Sequence, residues 1–292
     1  MAIREKVAYA LFYCGAVSIA WLPLRVLYVL SDGLYFLIRY VVRYRRTVVR
    51  ESLAASFPEK THEERLRIEK AFYRHFADYI VETIKLARIG KAEVQRRAHL
   101  NNPELVNGLF AAGHTCVVLL MVHYGNWEWF SASKERFEGK TYQIYQPLHS
   151  QVVDRFFIKL RERFGSQGMK RDHTFRDMVR IKQEGQHATV IFLADQRPAP
   201  NNVHYRTCFL NRDTPMLTGP ERIARKLDLP VVFLDTRRLK RGYYTIDFEL
   251  LTDKPRDTPE HWITEQYARR AEACIKRNPA YWLWTHKRWK YA

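Results

Sequence analysis

A run of seven apolar residues, 116–122 (CVVLLMV), constrains the fold most, because a short run of this kind is typical of a buried strand. The run ends at His123 and Tyr124, and Gly125 then permits a sharp turn. A helical pattern follows, with Asn126 at a position suited to the N-cap and Glu128 in the first helical turn. The sequence therefore predicts a strand, a turn and a helix in direct succession.

His123 and Glu128 are the first candidates for chemistry in this segment. Five residues along a continuous helix correspond to about 140° of rotation, so the two side chains would diverge on a helix. Across a strand-to-helix turn they can meet, and a carboxylate on one imidazole nitrogen leaves the other free to take a proton from a hydroxyl. We interpret the pair as a general base with its supporting carboxylate. A histidine that pairs with an acid for structural reasons alone remains the alternative.

The spacing of this pair is not unusual in a chain with 11 histidines and 31 acidic residues. It occurs twice more, as His99 with Glu104 and His149 with Asp154. Neither of these pairs follows a strand-like apolar run, and neither contains a glycine. The local context therefore selects His123 and Glu128, and the spacing alone does not.

Strand and helix patterns alternate in the rest of the chain, which is typical of a mainly parallel sheet covered by helices. Strand patterns lie at residues 141–146, 188–194, 230–235 and 243–251, and helix patterns at residues 152–164, 175–182, 218–227 and 259–277. Asp195 and Gln196 directly follow the strand at 188–194, where functional groups collect in open α/β sheets. Residues 61–99 show the periodicity of an amphipathic helix, with a capping box from Thr61 to Glu64.

The N-terminal segment is a candidate membrane anchor. Residues 7–24 carry no charge and would span about 27 Å as one helix, the lower limit for crossing a bilayer. A pair of helices broken near residues 31–33 that dips into the cytoplasmic leaflet is the second possibility, and a soluble hydrophobic helix pair is the third. Five arginines between positions 39 and 50 favour a cytoplasmic location for this end. We divide the chain into an anchoring segment, 1–50, and an α/β domain, 51–292.

The formal net charge of +18 predicts an acidic partner, which could be nucleic acid, anionic lipid or an acidic carrier protein. An aromatic content of 14% favours a lipid interface among these. The tail at residues 281–291 (YWLWTHKRWKY) interleaves aromatic and basic residues, a composition that suits a membrane headgroup boundary.

Several classes of site lack their sequence signals. The four cysteines lie far apart without CxxC pairs, so neither a zinc site nor a disulfide framework is predicted. Motifs of the P-loop, GxGxxG, HExxH and GxSxG types are absent, which removes the usual evidence for a nucleotide, a dinucleotide cofactor, a zinc protease or a serine hydrolase. We predict neither a metal nor a cofactor.

Taken together, the motifs resemble the bacterial late acyltransferases of lipid A biosynthesis, the lauroyl/myristoyl acyltransferase family. The resemblance covers nearly the whole chain, and the His-x4-acid box alone also belongs to the wider glycerolipid acyltransferase group. It rests on the N-terminal apolar segment ending in Arg45 and Arg46, SFPEKTHEER, YRHFADYIVETIKL, HYGNWEW, LRERFG, ADQ and WLWTHKRWK.

The resemblance implies transfer of a fatty acyl chain from an acyl carrier protein to a hydroxyl of a lipid A precursor at the cytoplasmic face of the inner membrane. His123 would be the general base and Glu128 its partner, without metal or cofactor. Arg161 and Asp195 match family positions and, with Gln196 and Asn126, are candidates for substrate binding or oxyanion stabilisation. The sequence leaves open whether Arg161 meets an oxyanion or an acceptor phosphate.

Other functions remain possible on this basis. The family usually carries Asn-Leu where this chain has Ser52 and Leu53, so the acceptor could be another membrane glycolipid or a phospholipid. A noncatalytic basic protein that binds membranes or nucleic acid would explain the charge. Such a protein would not explain why His123 lies between a strand-like apolar run and a glycine turn, and the sequence has no signature of a nucleic-acid-binding module.

Overall fold

The computed structural model describes residues 3–132, 138–148 and 150–290. Its strands are β1 (Ala98–Leu100), β2 (Cys116–Met121), β3 (Lys140–Tyr145), β4 (Ser166–Lys170), β5 (Ala188–Leu193), β6 (Arg206–Phe209), β7 (Arg212–Pro215), β8 (Val231–Lys240) and β9 (Tyr243–Thr252). Its α-helices are α1 (Ile3–Trp21), α2 (Leu24–Phe36), α3 (Arg46–Ser56), α4 (His62–Lys85), α5 (Lys91–Arg97), α6 (Glu104–Ala111), α7 (Trp127–Ala132), α8 (Gln151–Glu162), α9 (Thr174–Glu184), α10 (Gly219–Leu227) and α11 (Trp262–Arg277).

One mixed sheet organises the fold, with the strand order β1-β9-β8-β2-β5-β3-β4 in the described residues. All neighbouring pairs in it are parallel except β8 with β9. A separate hairpin joins β6 and β7. The prediction of a mainly parallel sheet flanked by helices is confirmed. The short β1, the polar β4 and the β6–β7 hairpin lie outside the predicted strands.

Strand β2, predicted from the apolar run, is buried at all six positions and occupies the middle of the sheet. Each strand and helix predicted after residue 140 also occurs close to its expected bounds. The main differences are that β8 extends to Lys240 and that α11 begins at Trp262. The hydrophobic pattern therefore predicts which segments form the sheet, and it is most continuous in β2 and β5, which are buried on both faces.

Residues 61–99 form two helices and a short strand, so the prediction of one amphipathic helix is only partly right. The capping box at the start of α4 is confirmed, since Thr61 accepts from Glu64 N at 3.2 Å and its own N–H donates to the Glu64 carboxylate at 2.7 Å. After Lys85 the chain makes tighter i→i−3 turns and becomes extended at Gly90. These turns end the helix although the apolar periodicity continues.

The N-terminal segment bends by 119° between its two helices. Helix α1 ends at Trp21, and Pro23 is extended, with φ −56° and ψ 144°. A proline disfavours helix at the preceding residue and cannot donate to the ladder, which accounts for the break. Lys85 donates to the carbonyl groups of Ala20 and Leu22 at 2.8 Å each and so satisfies this helix end. One unbroken helix over residues 7–24 is therefore wrong.

A break near residues 31–33 is also wrong, because α2 passes through them and Ser31 donates to Asp78 on α4 at 2.7 Å. No described helix is by itself long and apolar enough to cross a membrane. The segments Glu5–Trp21 and Leu24–Val41 meet the length and composition criteria only as a bent pair. The division at residue 50 and the membrane role of the first segment stay predictions.

Much of the predicted arginine cluster is engaged within the protein. Arg39, Arg46 and Arg50 approach the buried Glu69 carboxylate on α4 at 3.2, 3.5 and 2.7 Å. Arg45 donates to the Thr285 carbonyl at 2.8 Å. These arginines therefore attach the N-terminal segment to the domain, and their charge is only partly available to an external partner.

The C-terminal tail is a core element, contrary to the prediction of a headgroup-binding surface. Trp282, Trp284 and Trp289 are buried, and Arg288 is 1% exposed. The tail crosses the carboxyl end of the sheet, where Leu283 N donates to the His123 carbonyl at 3.1 Å. Its aromatic side chains are therefore packing residues, and the tail closes one side of the candidate site.

Candidate active site

His123 and Asp195 meet at the carboxyl ends of two neighbouring parallel strands. Met121 of β2 pairs in register with Leu193 of β5, and each candidate side chain lies two residues further on. The His123 Nδ1 atom is 2.7 Å from Asp195 Oδ1, and the His123 backbone N–H donates to the same oxygen at 3.2 Å. The sheet topology thus brings together two residues that are 72 positions apart.

Asp195 is buried and held on both oxygens. Its Oδ2 atom accepts from Trp282 Nε1 at 2.8 Å, and the side chain is 1% exposed. Burial alone would raise the pKa of this carboxyl, but His123 and the hydrogen bonds from His123 and Trp282 outweigh burial and lower it. An ionised Asp195 accepts the Nδ1–H of His123 and so leaves Nε2 of the neutral ring as the proton acceptor.

The Nε2 side of His123 carries the second predicted polar group. Gln196 Nε2 lies 3.4 Å from His123 Nε2. Trp127 packs edge-on against the imidazole at 5.0 Å between centroids, and Tyr79 stacks on Trp127 at 4.3 Å. His123 keeps 14% of its side chain exposed. The nitrogen that can accept a proton is therefore flanked by an amide and an aromatic wall.

The turn after His123 requires its glycine. Gly125 has φ +64°, and a Cβ atom there would lie 3.2 Å from the Tyr244 ring and 3.3 Å from Thr236. Gly125 N donates to the Tyr281 carbonyl at 2.9 Å, and its own carbonyl accepts from His75 Nε2 at 3.1 Å. The turn is thus fixed from the tail and from α4.

His75 is itself a neutral, structural histidine. Burial and the neighbouring Arg238 guanidinium lower its pKa to about 3. Its Nδ1 atom lies 3.3 Å from Arg238 Nη1, so Nδ1 accepts and Nε2–H donates to Gly125. The charge state of His75 therefore stays constant over the working pH range, and its hydrogen bond to the turn is permanent.

Asn126 belongs to a buried hydrogen-bond network. It directly precedes α7, as predicted, and its Nδ2 donates to Glu82 Oε2 at 2.9 Å. Glu82 also accepts from Tyr28 and Tyr244, at 3.0 and 2.9 Å. Burial raises the pKa of Glu82, although these hydrogen bonds oppose the rise. Asn126 is 2% exposed, so its described contacts position the turn, and its role towards substrate stays a prediction.

Glu128 forms a bidentate pair with Arg161, at 3.0 Å from Oε2 to Nε and 2.6 Å from Oε1 to Nη2. The side chains are 2% and 16% exposed. Burial would lower the pKa of Arg161, but the Glu128 carboxylate outweighs this effect and raises it. The predicted partner of His123 thus holds an arginine, while Asp195 holds Nδ1 of the histidine. A catalytic role for Glu128 stays a prediction.

The two pairs with the same spacing differ from this arrangement. His99 is exposed in β1 and makes no ion pair with Glu104 in the described part of the chain. His149, of the pair with Asp154, lies outside the described residues.

A family model described as bacterial lipid A biosynthesis acyltransferase matches residues 3–291 of this chain. The chain belongs to this family. A comparison with curated proteins gave no match. Membership in the acyltransferase family agrees with the resemblance predicted from the sequence, and it assigns the chain to the transferases of lipid A biosynthesis.

Some residues that build the site of this acyltransferase were not predicted as site residues from the sequence. Trp282 reaches Asp195 from the tail, and His75 and Glu82 reach the turn from α4. The α4 residues fall within the YRHFADYIVETIKL motif, which the apolar stripe alone predicts as core packing. Polar residues on the buried side of that helix are the signal that could have identified them.

We expect Glu128→Gln to lower the free energy of unfolding by about 3 kcal/mol, because it leaves the largely buried Arg161 without its counter-charge. Urea denaturation of the purified variant measures this loss. In the double variant with Arg161→Gln, part of the loss should be recovered, since neither charge is then buried alone. A double variant whose destabilisation equals the sum of the two single variants would contradict the pairing.

Proposed function

We propose that this acyltransferase moves a fatty acyl chain from an acyl carrier protein thioester to a hydroxyl of a lipid A precursor. The observation that carries the proposal is the contact of 2.7 Å between His123 Nδ1 and the buried Asp195. That contact directs the basic Nε2 atom away from Asp195, towards the side where Gln196 lies. Such an arrangement suits removal of a proton from an alcohol.

His123 acts as the general base in this proposal. Its Nε2 takes the proton of the acceptor hydroxyl while that oxygen attacks the thioester carbonyl, and Asp195 stabilises the resulting imidazolium. The tetrahedral intermediate then collapses, the carbon–sulfur bond breaks, and the departing thiolate takes the proton from His123. Both substrates bind together, so no acyl-enzyme intermediate is required.

Charge that develops on the thioester oxygen needs a nearby donor. We assign this role to the amide of Gln196, and its distance of 3.4 Å from His123 Nε2 supports the assignment. Arg161 keeps the role of binding an oxyanion or an acceptor phosphate, oriented by Glu128. Trp127, Tyr79 and Phe76 form an aromatic row beside His123, and such a surface is compatible with an acyl chain.

The carrier-protein donor and the membrane location are what the family resemblance implies, and charge and surface composition support both. A net charge of +18 suits docking of an acidic carrier protein as well as an anionic membrane surface. Exposed apolar side chains on the N-terminal helices, such as Leu11, Trp21 and Val29, suit attachment to a membrane. We place the protein at the cytoplasmic face of the inner membrane.

An assay of purified protein with acyl carrier protein and coenzyme A thioesters of one chain length tests the proposal. With a tetraacylated lipid A precursor in detergent micelles, the carrier thioester should be preferred at low salt. The preference should fall with added salt, because attraction between opposite charges is screened over about 8 Å at physiological ionic strength.

Three outcomes of this assay would contradict parts of the proposal. Equal use of both donors at low salt would exclude recognition of the carrier protein. Transfer to a phospholipid or another glycolipid, but not to the lipid A precursor, would change the acceptor. Absence of transfer with all of these substrates would exclude the activity.

A further inference from the structure

A cavity of about 670 Å³ lies beside the active-site turn and is strongly basic. It is formed by α2, α4, the end of β8 with the turn that follows it, and the 3-10 helix Pro279–Tyr281. Five cationic side chains and two carboxylates line it: Arg67, Lys70, Arg74, Arg238, Arg241, Asp32 and Asp78. Cations outnumber carboxylates by three, so the cavity favours an anion.

Both carboxylates are already paired with the two inner arginines. Asp78 accepts from Arg238 Nη2 at 2.9 Å and from Arg241 Nη2 at 2.7 Å. Asp32 accepts from Arg241 Nη2 at 2.7 Å. The inner arginines are therefore fixed in place and largely neutralised. The excess positive charge belongs to the remaining three cations.

Those three cations lie on one face of α4 at positions i, i+3 and i+7, which brings Arg67, Lys70 and Arg74 next to one another. In the described residues none of them is within ion-pair distance of a carboxylate. Arg74 lies over the Tyr35 ring, with its Cζ atom 5.3 Å from the ring centroid, and an arginine held over an aromatic ring can still donate N–H groups to a ligand. A phosphate group fits such a set of donors.

An exposed apolar surface borders the cavity. Asp32 and Tyr35 of α2 line the cavity, whereas Val29 and Phe36 on the same helix are 69% and 59% exposed. Leu239, next to Arg238, is 66% exposed. Basic cavities beside apolar surfaces are typical of binding sites for phosphorylated lipid headgroups. Phosphate on a lipid therefore fits the surroundings better than free phosphate does.

The cavity also contacts the turn that carries His123. The carbonyl of Tyr281, one of its lining residues, accepts from Gly125 N at 2.9 Å. Arg238 contacts His75, and His75 donates to the Gly125 carbonyl. The cavity and the catalytic imidazole are thus connected through a single turn.

We propose that the basic cavity binds a phosphate group of the acceptor lipid while a hydroxyl of the same molecule reaches His123. This inference rests on the proposed function and adds a requirement for phosphate on the acceptor. Arg67, Lys70 and Arg74 supply the charge, and the apolar surface beside them receives the lipid portion.

The test compares a triple variant, Arg67→Gln, Lys70→Gln and Arg74→Gln, with a matched control that removes three cations from α10: Arg222→Gln, Arg225→Gln and Lys226→Gln. Both lower the net charge equally. Each is assayed with the phosphorylated precursor and with the same lipid after phosphatase treatment. The α4 variant should raise KM for the phosphorylated acceptor on the order of 10- to 100-fold, because it removes binding energy. The α10 control should stay within about 2-fold.

Phosphatase-treated acceptor should show the high KM with the wild-type protein, and the α4 variant should not raise it further. An equal rise in KM for both acceptors, or an equal rise in the α10 control, would overturn the inference. A rise in KM for the acyl carrier protein alone would assign the cavity to the donor instead. Inorganic phosphate is also added as a competitor of the acceptor. Inhibition at low millimolar concentrations would show that the cavity is a site for free phosphate, and it would contradict the assignment to a lipid phosphate.

If the wild-type protein transfers no acyl chain to any acceptor, the proposed function fails, and binding is then measured directly. Flotation is carried out with vesicles of a net-neutral lipid to which either phosphatidic acid or oleate is added to the same total charge. The comparison of the two reports on phosphate recognition. Preferential binding to phosphatidic acid that is lost in the α4 variant alone supports the phosphate site. Equal binding to both kinds of vesicle overturns it.

Discussion

Replacing His123 with alanine should lower kcat for acyl transfer by about 100- to 10,000-fold, the usual contribution of a general base. Among the described residues, His123 has the only imidazole that contacts Asp195, and the contact is made through Nδ1 at 2.7 Å. Removing it leaves the acceptor hydroxyl without a base on the side where Gln196 lies. KM for the acyl carrier protein should change little, because docking depends on charge elsewhere.

His99→Ala is the matched control, because His99 has the same spacing to an acid but is exposed in β1. It should retain activity within about 2-fold, as expected for an exposed position away from the site. Circular dichroism confirms that both variants are folded before rates are compared. Wild-type kcat in His123→Ala, or a loss in His99→Ala of the size expected for His123→Ala, would show that the base is another group.

The strand and turn around His123 could be predicted because their signals are local. A seven-residue apolar run is long enough to predict a buried strand, and a glycine directly after it predicts the turn. The structure confirms both, with β2 at Cys116–Met121 and Gly125 at φ +64°. In this part of the chain, the hydrophobic pattern predicts the strand and the backbone requirement for glycine predicts the turn, and the two predictions agree.

The neighbour of His123 could not be predicted in the same way. In chain order β3 follows β2, but β5 inserts between them in the sheet. This crossover places Asp195 beside His123, whereas the local spacing suggested Glu128. Strand order depends on how the helices pack on the two faces, and a single sequence does not report that packing. The sequence pattern marked Asp195 as a polar residue at a strand end, and the family resemblance marked it as a candidate, but neither placed it beside His123.

The tail and the N-terminal segment show a second limit of sequence patterns. Aromatic residues interleaved with arginine and lysine occur at membrane surfaces. The same pattern also occurs in protein cores where indole N–H groups donate to buried acceptors. Trp282 and Trp289 are in the second situation, since they donate to Asp195 and Thr214 at 2.8 Å each. Likewise, two of the arginines whose positions in the sequence favoured a cytoplasmic location, Arg39 and Arg50, pair with the buried Glu69.

Helix α4 connects these observations, because its side chains contact three parts of the protein. Glu69 binds the N-terminal arginines, and His75 and Glu82 support the active-site turn. Arg67 and Arg74 line the basic cavity on its exposed side. A helix with so many polar partners cannot slide or rotate without breaking several of them. The position of His123 therefore depends on α4 as much as on the sheet.

Asp195→Asn should lower kcat by about 100- to 10,000-fold without a comparable change in KM. The carboxylate holds the Nδ1–H tautomer of His123 and stabilises the imidazolium, and a neutral amide does neither reliably. In a serine protease triad, the equivalent change from Asp to Asn costs about 10,000-fold. Glu128→Gln is the comparison that distinguishes the two carboxylates, because it removes the negative charge that pairs with Arg161 and leaves the carboxylate beside His123 Nδ1 in place.

The losses of kcat in Asp195→Asn and Glu128→Gln show which carboxylate is the partner of His123. If Asp195 is the partner, Asp195→Asn abolishes most of kcat in protein that remains folded, while Glu128→Gln acts mainly on stability. A greater loss of kcat in folded Glu128→Gln, with Asp195→Asn near wild type, would restore Glu128 as the partner. Trp282→Phe removes the hydrogen bond of 2.8 Å to Asp195 Oδ2 and should reduce kcat by a smaller factor, about 10-fold.

Stability at different pH values gives a readout that does not depend on the assay. The pKa of Asp195 is lowered in the folded protein despite burial, because His123 and Trp282 favour the charged form. Its ionisation therefore contributes stability that is fully present above the unfolded value, about 3.9, and is lost as the pH falls through the lower folded value. Urea denaturation should show a difference between wild type and Asp195→Asn that shrinks as the pH falls below about 4. A difference that grows on acidification would mean that Asp195 is protonated in the native site, and His123 would then lack the charged partner that its role as a base requires.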